Sequence, residues 1–244
     1  MSTQYFELKK DHEYIKIYGL QRSGTNYLTH LINENLEKTQ VLVNLGGWKH
    51  GHYAAPWMVG KEVHVLLITK NPYSWLVSVY NYWGVNRKIN VGPDLRGVSF
   101  EDFLKNKLYL EKQRDIPYLF RSSNPIQHWN NMNFHWMTVR LNQKKLLHVS
   151  YEELMEEPEA TIKSVAENYD LKIKNEIKNE EKVFTPSGET PRTGEEKFNK
   201  DFYSQNQFMN MYTPELIEYV NEQLDLDVVL RLGYFFVEPE SLKQ

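Results

Sequence analysis

Apolar positions fall in short runs separated by turn residues, and the runs change period along the chain. Residues 14–18 (YIKIY) form a β-rich run, and residues 19–24 follow as a turn-rich loop. From residue 25 to 36, Leu28, Leu31, Ile32 and Leu36 recur at helical spacing. A second apolar run covers residues 41–45 and ends at Gly46-Gly47. A third, residues 63–69 (VHVLLIT), is nearly all apolar, as expected of a strand covered on both faces. It stops at Lys70-Asn71-Pro72, and a helix is predicted next, with Trp75, Leu76, Val79, Tyr80 and Trp83 on one side. Residues 84–98 show no period and read as a loop.

Farther along, Ser99 with Asp102 resembles a capping box, and Pro125 opens a helix that turns Ile126, Trp129, Trp136 and Met137 inward. Residues 145–149 (KLLHV) predict a fourth strand. Ser150 with Glu153 caps the next helix, Pro158 starts another that runs to about Tyr169, and Thr213-Pro214 opens the last, with Leu216, Ile217, Val220 and Leu224 inward. Strands alternating with helices argue for an α/β fold with a mainly parallel central sheet flanked by helices. The 244 residues suit a single domain, residues 1–244. Ligands of such sheets sit at the carboxyl ends of the strands.

Composition narrows the chemistry. A net charge of −3 gives no global basic field, so nucleic acid is not an expected partner and any anion site must be built locally. With no cysteine, thiolate catalysis, disulfides and Cys-based zinc sites are excluded. No apolar leader opens the chain and no window reaches a membrane span, which reads as a cytoplasmic protein.

Three loops that follow predicted strands carry the candidate chemistry. The first runs Gly19-Leu20-Gln21-Arg22-Ser23-Gly24-Thr25-Asn26-Tyr27 into a helix. A helix start offers free N–H groups and positive dipole, and Gly24 permits close approach to an anion. Ser23, Thr25 and Asn26 add donors and Arg22 a fixed charge; the plain alternative is a capped helix with an exposed Arg. Thr25 stands where a Walker loop needs Lys, which counts against ATP or GTP hydrolysis. The second loop holds Lys49 and His50, with His52 two residues on: a cation for a leaving oxygen and a general base. His50 is favoured over His52, and no third and fourth ligands accompany the pair to suggest a metal. The third begins at Lys70, with Ser78 eight positions later.

These segments resemble the PAPS-dependent sulfotransferase family, where PAPS is 3′-phosphoadenosine 5′-phosphosulfate. Arg22-Ser23-Gly24-Thr25 is similar to that family's 5′-phosphosulfate loop, with Asn26 where Thr or Ser is commoner and Tyr27 where an adenine-stacking Trp often stands. Lys49 and His50 match its catalytic Lys and His, although a residue usually separates them. Lys70 replaces an Arg that, with a Ser at the position of Ser78, holds the 3′-phosphate. Tyr151 in Val149-Ser150-Tyr151-Glu152-Glu153-Leu154 is similar to a segment whose Tyr approaches adenine, and Arg192-Thr193-Gly194 to a late loop over the 3′-phosphate.

The resemblance implies a P-loop-like sulfotransferase fold. It also implies sulfuryl transfer from PAPS, without a metal, to a small-molecule or carbohydrate acceptor. Lys49 and Arg22 would hold the sulfuryl and 5′-phosphate, and His50 would be the base. Lys70, Ser78, Arg192 and Gly194 would lie on the 3′-phosphate, with Tyr27 and Tyr151 near adenine. Two alternatives stay open: a nucleotide-dependent phosphotransferase on a related fold, and a non-catalytic nucleotide-binding protein. Trp48, Tyr53, Trp57, Tyr82 and Trp83 are aromatic candidates for the acceptor site or for the core, and residues 84–125 and 170–190 are expected to shape the acceptor pocket.

Overall fold

In a computed structural model, the described residues are 11–43, 47–51, 63–82, 97–105, 122–138, 146–179 and 200–243. Four strands form a parallel sheet in the order β2-β1-β3-β4: β1 Glu13–Tyr18, β2 Thr39–Val41, β3 Val63–Thr69 and β4 Leu146–Ser150. Helices α1 (Thr25–Asn35), α2 (Pro72–Tyr80), α3 (Phe100–Lys105), α4 (Pro125–Thr138), α5 (Tyr151–Glu156), α6 (Pro158–Tyr169), α7 (Lys200–Ser204), α8 (Pro214–Gln223) and α9 (Leu226–Arg231) surround it.

Strand alternation divides the core in two. Ile15, Ile17, Leu66 and Ile68 pack with α1 and α6 on one face. Tyr14, Tyr18, Val65 and Leu67 pack with α2, α3, α4, α8 and α9 on the other. Both faces of β3 are thus covered, which accounts for its unbroken apolar run. Among the described residues, no helix is long and apolar enough to cross a membrane.

Predicted helix starts hold in detail. Ser150 and Glu153 form a reciprocal capping box on α5, and Ser99 Oγ accepts from Asp102 N at 3.1 Å at the start of α3. Thr213 caps α8 ahead of Pro214, and α6 runs from Pro158 to Tyr169. The second strand is a correction. It ends at Val41, earlier than the apolar run over residues 41–45 suggests. Leu42 N still reaches Ile15 O at 2.8 Å, but Val43 O is taken by the Lys16 ammonium at 2.7 Å rather than by a strand partner.

Candidate active site

The carboxyl ends of β1, β3 and β4 lie side by side, Tyr18 opposite Leu67 and Thr69 opposite Ser150. The first loop leaves β1 and turns into α1. Arg22 adopts a left-handed backbone (φ 69°), and Gly24, the residue that caps α1, another (φ 83°). A Cβ at Gly24 would lie 2.7 Å from Cδ2 of Tyr151, so only glycine fits without displacing that ring. No side chain caps α1 and its first turn holds no acidic residue, which leaves the positive end of the helix open. Ser23 is buried, and its Oγ has no hydrogen-bond partner among the described residues. An orphaned buried hydroxyl beside an uncapped helix start suits an anion. The exposed Arg22 guanidinium lies 5.0 Å from the centre of the Tyr82 ring.

The second segment is bound to the first. Gly19 N donates to Lys49 O at 3.1 Å, and His50 Nδ1 donates to Gly19 O at 2.6 Å. A carbonyl only accepts, so Nδ1 carries the proton and Nε2 keeps its lone pair. Burial, then Lys49, lowers the His50 pKa to about 3; the bond to Gly19 opposes this, and Lys16 adds to it. The ring is therefore neutral at neutral pH. Lys49 is buried, and its ammonium donates to Asn26 Oδ1 at 2.5 Å, which ties it to the first turn of α1.

Lys70 and Ser78 share a third group with the first loop. Asn71 caps α2, Oδ1 accepting from Tyr73 N at 3.0 Å, and this turns Ser78 back toward the end of β3. Lys70 is 1% exposed and lies between two rings, 4.1 Å from the centre of Tyr151 and 3.6 Å from that of Tyr203. The Tyr203 hydroxyl donates to Ser78 Oγ at 3.3 Å. Burial lowers the Lys70 pKa against the opposing pull of Tyr203 and Glu152. Burial raises the Tyr203 phenol, but Lys70, the bond to Ser78 and Arg22 outweigh it, and its pKa is lowered overall. Tyr151 is 3% exposed, its ring wedged between Gly24 and Lys70. The Tyr27 hydroxyl donates to Asn179 Oδ1 at 2.5 Å.

Arg22, Ser23, Gly24, Thr25, Asn26, Tyr27, Lys49, His50, Tyr151 and Lys70 are thus on the first loop or linked to it, and Ser78 joins Lys70 through Tyr203. Arg192, Gly194 and the alternative base His52 lie outside the described residues, as do Tyr53, Trp57 and Trp83. Residues 172–179 run beside α1, where Asn35 exchanges hydrogen bonds with Lys178 and Leu36 bridges to Ile173. This stretch therefore backs the Tyr27 side of the first loop; residues 180–190, the rest of the segment expected to shape the acceptor pocket, lie outside the described residues.

Sequence reasoning missed three residues. Tyr203 reaches the site from α7 with no motif around it. Glu152 is a mostly buried carboxylate that accepts from Asn71 N at 3.1 Å and from the Tyr234 hydroxyl at 3.2 Å, and burial raises its pKa against the pull of Lys70. Lys16 is fully buried in β1; a lysine inside an otherwise apolar strand was the available signal.

A model of the sulfotransferase domain matches residues 50–212, about two thirds of the chain. The chain belongs to the sulfotransferase family. It is thereby an enzyme of sulfuryl transfer, and the sulfotransferase match takes in His50, Lys70, Ser78, Tyr151, Arg192 and Gly194 while starting beyond the first loop. Among solved structures, a mouse sulfotransferase, SULT7A1, complexed with PAP is similar in fold, with a TM-score of 0.52 at 16% identity over 86% of this chain and 82% of that one. No curated protein matches this sulfotransferase by sequence. Among its described residues, no group of His, Cys, Asp and Glu is arranged to hold a metal ion.

Proposed function

We propose that the protein transfers a sulfuryl group from PAPS to a hydroxyl acceptor, with His50 as general base. The observation that carries this reading is the pinned imidazole. Nδ1 is spent on Gly19 O, the carbonyl that opens the first loop, so Nε2 keeps its lone pair. The Nε2 lone pair takes the acceptor's hydroxyl proton as the acceptor oxygen bonds to sulfur. The bond from sulfur to the bridging oxygen breaks, and its electron pair stays on the 5′-phosphate. Lys49, Arg22, Ser23 Oγ and the N–H groups at the start of α1 meet that charge. The imidazolium then passes its proton to solvent.

The same reading puts Lys70 and Ser78 on the 3′-phosphate, joined by Arg192 and Gly194, with Tyr27 and Tyr151 near adenine. The Tyr203 ring covers Lys70 and its hydroxyl holds Ser78, so this ring must yield to the 3′-phosphate. The supporting observations are the orphaned Ser23 hydroxyl, the close approach at Gly24, a buried Lys49 tied to Asn26 and a buried Lys70 directly after β3.

Thermal unfolding with 3′-phosphoadenosine 5′-phosphate (PAP) in the presence of a chelator tests the donor. PAP at 100 times its dissociation constant should stabilise the protein by about 2.7 kcal/mol. No shift with PAP, alongside a shift with ATP and Mg²⁺, would favour a phosphotransferase instead. A radiolabelled transfer screen over hydroxylated sugars, lipids and phenols then identifies the acceptor.

A further inference from the structure

Lys16 sits in the middle of β1 and is fully buried, on the same face as Tyr14 and Tyr18. An ammonium in such a place is costly unless its donors are met. Its Nζ donates to Val43 O at 2.7 Å and to Gly47 O at 2.8 Å, and lies 5.2 Å from the centre of the Tyr18 ring. The two carbonyls lie on either side of residues 44–46 in the sequence. Gly47 has a left-handed backbone (φ 95°) and comes two residues before Lys49. Three residues along β1 from Lys16, Gly19 grips the far end of the same segment through Lys49 O and His50 Nδ1. The base and the neighbouring cation are therefore suspended between two anchors on one continuous stretch of chain.

We propose that Lys16 is a positioning residue for sulfuryl transfer: its ammonium fastens the entry to the 47–50 segment and places a fixed positive charge behind the His50 imidazole. The proposal rests on the reading of His50 as the base. The charged groups acting on the ring are Lys49 from its own segment and Lys16 from β1; the Gly19 carbonyl opposes them, and Trp48 packs edge-on with centroids 4.9 Å apart. Both lysines disfavour the imidazolium, so removing one raises the pH at which His50 takes a proton. Removing the anchor also frees the base to drift, and displacements of about 1 Å can cost a hundredfold in rate.

Lys16→Met keeps the length and apolar stem but deletes the charge and the donors. Two readouts apply: NMR titration of the His50 C2–H in the free protein, and PAP release from PAPS with water as the acceptor. The His50 midpoint is expected at higher pH than in wild type, with PAP release slowed roughly ten- to a hundredfold and PAP affinity within about threefold. Lys16→Arg, which restores the charge, should return the midpoint toward the wild-type value. Where the Met variant fails to fold, Lys16→Gln keeps an N–H₂ donor group without the charge and should show the same upward midpoint. An unmoved midpoint in the neutral variant, with PAP release within about twofold of wild type, would overturn the proposal; a structural lysine would lower the melting temperature and leave the midpoint in place. His50→Ala is the separate control: if it releases PAP at the wild-type rate, the base assignment fails, whatever Lys16 does.

Discussion

Replacing Lys70 by Met tests whether this lysine reads the 3′-phosphate. The ammonium is 1% exposed and lies between the Tyr151 and Tyr203 rings, with Tyr203 bonded to Ser78. A charge-assisted contact from Lys70 to a phosphate is worth about 1.5–3 kcal/mol. To make it, the lysine gives up its contact with the Tyr203 ring, worth about 0.5–2 kcal/mol. The difference of the mid-range values is about 1 kcal/mol, so Lys70→Met should weaken PAP by roughly fivefold. Adenosine 5′-phosphosulfate has no 3′-phosphate, and its affinity should not change. Titration calorimetry of both nucleotides against both proteins yields the four dissociation constants. Equal weakening of the two ligands would refute the assignment, because Lys70 would then be supporting the pocket rather than reading the phosphate. Tyr203→Ala sharpens the test. Without the covering ring, no contact has to be surrendered, and PAP should bind more tightly while adenosine 5′-phosphosulfate is unaffected.

His50→Ala should lower kcat by roughly 10²–10⁴ with PAP affinity preserved, as read by calorimetry and by transfer to the best acceptor of the screen; an undiminished kcat would remove His50 from the mechanism. Because the folded protein keeps His50 neutral to about pH 3 while an unfolded histidine takes its proton near pH 6.5, the unfolded state binds the extra proton between those values. This contribution to stability is complete above about pH 6.5 and declines as the pH falls; the melting temperature should drop on acidification, less steeply in His50→Gln. Gly24→Ala puts a methyl 2.7 Å from Tyr151 Cδ2 at a φ of 83°, so it should destabilise the protein by about 1–2 kcal/mol from backbone strain alone and weaken PAP, with melting curves and calorimetry as the checks.

The parallel sheet was legible because β3 is an unbroken apolar run, and because β3 and β4 lead straight into helix starts with explicit caps, Asn71-Pro72 and Ser150 with Glu153. The first loop was legible for the same reason: Gly24 and its neighbours act through backbone position, which local sequence dictates. Lys16 and Tyr203 were not, because each works through residues far along the chain. Lys16 meets carbonyls 27 and 31 positions away, and Tyr203 meets Ser78 across 125. The early end of β2 has the same origin, since a side chain of the neighbouring strand takes the Val43 carbonyl beyond it. Hydrophobic pattern reports which face a residue turns to; it carries no record of which distant polar group will claim a backbone atom.

The side-by-side strand ends have a metrical consequence. Hydrogen-bonded strands stand about 4.8 Å apart, and the first loop and Lys70 leave β1 and β3, which are neighbours in the sheet. The separation between the first loop and Lys70 is accordingly one strand spacing, a gauge cut by the backbone ladder, and the His50 segment takes its place from the first loop through the two hydrogen bonds of Gly19. Exchanging surface segments elsewhere can reshape what enters the site without recalibrating that gauge, whereas slipping β1 by one residue would turn Lys16 to the opposite face and carry Gly19 about 3.3 Å along the strand. In this chain, acceptor choice and reaction geometry are separable targets for engineering.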